Sequence, residues 1–75
     1  MNNTWIRTTL GSLLNILDAR TTVSIYGRKD DIDDLIYNQY LVYEIFYTEM
    51  FEKLQNCTVI GISTTISITN ITIMV

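Results

Sequence analysis

The sequence contains no histidine and no proline, one cysteine and three glycines. Without histidine there is no imidazole to act as a general base, to activate a nucleophile or to complete a thiolate/imidazole metal site. The lone Cys57 cannot close an internal disulfide, which fits a reducing cytoplasm. At the start of an expected strand it reads as a small buried hydrophobe rather than a reactive thiol. Gly11, Gly27 and Gly61 stand apart from one another, so no glycine-rich loop can cradle a phosphate. The expectation is a protein that is not an enzyme, with no catalytic residue, no metal site and no cofactor.

Charge is scarce as well. Five basic and eight acidic residues leave a net charge of -3, and the largest basic cluster is the pair Arg28-Lys29. Displacing counterions from a phosphate backbone takes concentrated positive charge, so this composition argues against a nucleic-acid partner. With 48% apolar and 17% charged residues the chain is too hydrophobic for disorder and too sparingly charged for a coiled coil. Its 75 residues make a single domain, 1–75, near the lower size at which one core holds a fold. The opening "MNNTWIRTTLGSLLNILDAR" is interrupted by Arg7, Asn15 and several hydroxyl residues, so it has no signal-peptide core. The N-x-S/T matches at Asn2, Asn56 and Asn70 then follow from an Asn/Thr-rich composition, and the expected location is cytoplasmic, with no membrane partner.

What is present is pattern. Leu10, Leu13, Leu14 and Leu17 lie along one stripe of a helix that Thr8 or Thr9 can cap. "TTVSIYG" alternates as a strand with Val23 and Ile25 on one face, and Gly27 with "RKDDIDD" reads as a turn or exposed loop. The stretch "IDDLIYNQYLVYEIFYTEMFEKL" fits a long amphipathic helix, and it fits equally a strand followed by a short helix capped near Thr48. Periodicity does not separate the two.

From Thr58 to Val75 the chain is dominated by isoleucine, threonine and valine. It is too polar and too β-branched for a transmembrane helix. It reads as two strands, "CTVIGIS" and "NITIMV", joined by a polar turn within Thr64 to Asn70. The last places Ile71, Ile73 and Val75 on one face. As an open edge, with no proline and no charge after Lys53, it would pair with another copy, so a homodimer or a covered edge is expected. "LLNILDARTTVSI" and "MFEKLQNCTVIGI" echo each other, each running from a helix through a polar step into Thr-Val and a strand.

The succession of an "L-x-x-L-L-x-x-L" helix, a "T-x-V-x-I-Y" strand, an acidic loop, "L-I-Y-N-Q-Y-L", a short helix, "T-V-I-G-I" and "I-T-I-M-V" resembles a loose class of short phage and prophage proteins of low-GC Gram-positive bacteria. The resemblance runs from about Leu10 to Val75. It implies that Asp34 to Val42 is a second strand paired to the first and Thr48 to Leu54 a short helix. "VYEIFYTEMF" departs from that class in having no proline at the helix start. The expected fold is therefore α+β, a four-stranded, mainly antiparallel sheet with two short helices in the order α-β-β-α-β-β. The resemblance also implies an accessory role inside a bacterial host.

The candidate interaction residues follow from chemistry. Asp30, Asp31, Asp33 and Asp34 form the only dense carboxylate run; without the spacing of a calcium loop it reads as a solvated turn, or as an acidic patch for a basic groove on a partner. Tyrosine combines apolar area with a hydrogen-bonding tip and is favoured at interfaces, and strand alternation puts Tyr37 and Tyr43 on one side and Tyr40 on the other. Trp5 either staples the first helix or anchors a contact. The expected function is binding to a host protein, in its sharpest form inhibition of a host defence system as anti-CRISPR proteins do. The alternatives are an oligomeric sponge for a signalling nucleotide, held by Arg7, Arg20 and Arg28, and a small structural subunit.

Overall fold

The computed structural model of the chain describes residues 8–75; Trp5 and Arg7 lie outside them. The elements run α1 Leu10–Ile16, β1 Thr22–Lys29, β2 Ile32–Leu41, α2 Val42–Ile45, α3 Glu49–Leu54, β3 Val59–Thr65 and β4 Ile68–Met74. The fold is α+β around one four-stranded sheet.

Three features differ from the sequence reading. The first is the helix count, three rather than two among the described residues. Thr48 is the reason: its hydroxyl donates to the Ile45 carbonyl at 2.7 Å and accepts from the Tyr37 hydroxyl at 2.6 Å. With Thr48 extended (φ -90°, ψ 145°), α2 closes before it and α3 opens after it. Glu44 tightens the start of α2 by accepting the Leu41 N–H at 2.8 Å.

The second is the acidic run, which is mostly strand. β1 continues to Lys29 and β2 begins at Ile32, its partner across the hairpin, so that only Asp30 and Asp31 turn. Both have left-handed backbone, φ 54° and 63°. A two-residue loop of that kind matches the twist of the flanking strands, and aspartate tolerates it better than most residues.

The third is the sheet, which is mixed. Its order is β2-β1-β4-β3, with β1/β2 and β3/β4 antiparallel and the central β1/β4 pair parallel. Parallel neighbours need a long crossover, and the path through β2, α2, α3 and β3 supplies it. The C-terminal strand is therefore interior. Its edge is covered by β1 and β3, and the edges of the sheet are β2 and β3.

The core lies between the sheet and the helices. Leu10, Leu13 and Leu14 of the predicted stripe are buried, with Thr9 as the cap through its bond from the Ser12 N–H. They meet Val23 and Ile25 of β1, Ile71 and Ile73 of β4, Val42 and Ile45 of α2 and Phe51 of α3. Gly11 is not wasted helix propensity: its N–H donates to the Gln55 carbonyl at 2.8 Å, and a Cβ there would stand 3.2 Å from that oxygen. The other face of the sheet, with Tyr26, Leu35, Asn70, Thr72 and Met74, carries none of the described helices.

Replacing Ile71 by alanine is expected to cost about 2–5 kcal/mol in urea unfolding, because it opens a cavity under the central strand pair. Ile66, 96% exposed at the β3–β4 turn, should tolerate alanine within about 0.5 kcal/mol. Equal costs at the two positions would contradict the packing described.

Candidate interaction surface

The structure separates the carboxylates of "DDIDD". Asp30 and Asp31 occupy the hairpin tip, while Asp33 and Asp34 are consecutive strand residues and project to opposite faces. Asp33 lies directly across from Arg28, whose Nε and Nη2 donate to its two carboxylate oxygens at 2.7 and 3.1 Å. That is the only ion pair among the described residues. The hydrogen bonds from Arg28 hold the Asp33 carboxyl below the usual carboxylate range, and the charge of Arg28 adds to a shift that desolvation opposes. No group of three or more His, Cys, Asp or Glu side chains converges on a metal-sized site among the described residues.

The tyrosines are redistributed by two bulges in β2. Between Val23 and Ile25 of β1, the partner strand advances from Tyr40 to Tyr37, one residue too many; a second extra residue, Ile36, lies between Tyr37 and Leu35. At the first bulge Gln39 takes a left-handed φ of 57° and its N–H donates to the buried Ser24 hydroxyl at 3.1 Å. An extra residue inverts the alternation beyond it. Tyr40 therefore comes to the same face as Tyr37, and their rings meet edge to face at 5.1 Å. This corrects the expected split of Tyr37 from Tyr40. Tyr37 is core, while Tyr43 sits on α2 instead of extending the strand and is exposed.

Ile32 and Leu35 are exposed beside the aspartates, but the exposed aromatic side chains gather elsewhere. Tyr40, Tyr43, Phe46, Tyr47 and Met50 are all exposed, within the stretch from the end of β2 to α3, and Phe46 meets Phe51 edge to face at 5.0 Å. Glu44, Glu49 and Glu52 are exposed among them. Asp31, just before β2, and Tyr40, near its end, stand roughly 20–25 Å apart at the rise of a strand, the two bulged residues adding no length. The predicted interaction residues thus make two regions, with Tyr37 in neither and Trp5 outside the described residues.

A further surface was missed from sequence. A groove of about 490 Å³ runs between α1 and β3, lined by Leu13, Ile16, Val59, Ile60 and Ile62 among others. Ile16 falls just off the leucine stripe of α1 and is 80% exposed. An isoleucine beside a complete stripe was the available signal. Cys57 is half-buried against the core, and its carbonyl accepts the Leu10 N–H at 2.9 Å.

A carboxyl with a lowered folded-state pKa adds stability above the usual carboxylate range, and that contribution fades as the pH falls through the lowered value. For so exposed a pair the contribution is small, and the titration itself is the better readout. Followed by NMR, the Asp33 carboxyl should titrate below the usual range in the wild type and return to it in Arg28→Ala. An Asp33 indifferent to that substitution would show that the pair does not persist in solution. Tyr37→Phe, which removes the donor to Thr48, should cost about 0.5–1.5 kcal/mol.

In comparisons with known proteins the chain matches no family model, no curated protein and no solved structure.

Proposed function

We propose that this chain is a non-enzymatic accessory protein of phage or prophage origin that acts by covering the surface of a bacterial host protein. In its sharpest form the partner is a component of a host defence system, occupied in the manner of anti-CRISPR proteins. The observation that carries the binding reading is the exposed run Tyr40, Tyr43, Phe46, Tyr47 and Met50. Aromatic residues and methionine are enriched where proteins meet, and a small core has no use for large side chains it leaves in solvent. The glutamates in that stretch suit a partner with a basic rim, since complementary charge speeds encounter and suppresses wrong partners. The phage context rests on the resemblance in pattern.

The nucleotide-sponge reading has less to support it. It relies on Arg7, Arg20 and Arg28 converging on phosphate, and Arg28 is bonded to Asp33. Nucleotide absorbance co-eluting with the purified protein would revive it.

The test is an affinity pull-down of tagged protein from lysate of a low-GC Gram-positive host, repeated with Tyr43→Ala/Tyr47→Ala. The expected result is one stoichiometric host protein, lost or reduced at least tenfold with the double variant while its circular dichroism is unchanged, a drop that corresponds to about 1.4 kcal/mol. An eluate containing only this chain, or a partner indifferent to both tyrosines, would count against the proposal.

A further inference from the structure

The two edges of the sheet are built very differently. β2 carries Asp31 beside its start, Asp33 and Asp34 within it, two bulges and a left-handed Gln39. Charge and bulges of this kind keep an edge from pairing with another strand. β3 has no such protection over most of its length. Its single irregularity, at Ile60, adjoins the part already covered, where Thr9 bridges Thr58 and the Val59 N–H donates to the Thr8 carbonyl at 2.9 Å. From Ile60 to Thr65 no described strand pairs with its outer side. No charged side chain and no proline occurs after Lys53.

We infer that this edge pairs with the same edge of a second copy, antiparallel, so that two four-stranded sheets join into one. Antiparallel pairing of identical strands is two-fold symmetric and closes on itself, so it yields a dimer instead of a fibre. Charge chooses the edge. Joining β3 to β3 brings no charged side chain into the seam, whereas joining β2 to β2 would carry the aspartates of each copy into it along a strand that two bulges interrupt.

The register follows from the pleat. A two-fold axis normal to the sheet keeps the helices of both copies on one side, and facing residues must point to the same side. The axis therefore passes through a residue and not between two. Thr8 to Leu10 already occupy the stretch up to Val59, and among the described residues none occupies Ile60 to Thr65, the window taken for the partner. Within that window an axis through Ile62 sets Ile62 against Ile62 of the copy, with Gly61 facing Ser63. Ile62 lies on the helix side of the sheet, across from the buried Ile71, yet it is 54% exposed. Its groove, with Ile16 on the lip, would be continuous with the groove of the copy. Pairing thus covers apolar groups that the single chain leaves in water.

The test is mass by light scattering, with cross-linking to locate the contact. At tens of micromolar the chain should run at twice its 8.7 kDa. Ile62→Lys should run as a folded monomer by circular dichroism. Directly opposed residues of an antiparallel pair have Cα atoms about 4.5–5.5 Å apart, inside the roughly 4.4–6.8 Å reach of a disulfide. In a Cys57→Ala background, Ile62→Cys should therefore oxidise to a covalent dimer and Leu35→Cys on β2 should not. This arm holds even if Ile62→Lys fails to fold. A monomeric wild type at that concentration overturns the inference, whatever else covers the edge. So does a dimer that Ile62→Lys leaves intact, or one in which Leu35→Cys cross-links as readily as Ile62→Cys.

Discussion

The parallel pairing of β1 with β4 is the constraint on which the rest of this protein depends. It sets Ile25 beside Ile71 and Gly27 beside Ile73, making the apolar floor onto which α1, α2 and α3 pack. Strands so joined run the same way, so the chain must travel from one end of the sheet back to the other between them. β2, α2, α3 and β3 are that journey. Every other placement follows: the aspartate-bearing β2 goes to one edge, the uncharged β3 to the other, and the C-terminal strand to the middle.

The same pairing explains why the ending of the chain is so rich in isoleucine and threonine. β4 is central, so its inward residues Ile71 and Ile73 are wholly buried, while Asn70 and Thr72 alternate with them on the face that the described helices leave bare. A β-branched residue suits both positions, since it packs well on a pleated surface. The order of a helix and then two strands that "LLNILDARTTVSI" and "MFEKLQNCTVIGI" share is kept, each leading into an antiparallel hairpin, but the two hairpins take different places in the sheet. β1 is central and β3 is an edge.

Local polar contacts then refine the plan at a few positions. Thr48 ends one helix and begins another while accepting from Tyr37, so a single hydroxyl ties the far part of β2 to the helical layer. Ser24 plays a similar part at the bulge, receiving the Gln39 N–H on the side where the ladder is broken. A buried polar group held in this way is satisfied rather than costly, and it pins a geometry that apolar packing alone would leave loose.

Much of the architecture was legible in the residues themselves. The leucines of α1, the inward Val23 and Ile25, the strands that end the chain and the exposed aspartate turn follow from periodicity and turn chemistry, because those depend on neighbours in sequence. Strand identity for Ile32 to Leu41 came instead from likeness of pattern, since the same residues satisfy a helical stripe. What only the tertiary structure decided was which strands become neighbours, where β2 bulges and which apolar residues stay in solvent. Whether Tyr40 shares a face with Tyr37 turns on one unpaired residue, and whether Ile62 is covered turns on how far α1 reaches across the sheet. These are contests between distant segments for the same backbone hydrogen bonds and the same apolar surface, and no window of sequence contains both competitors.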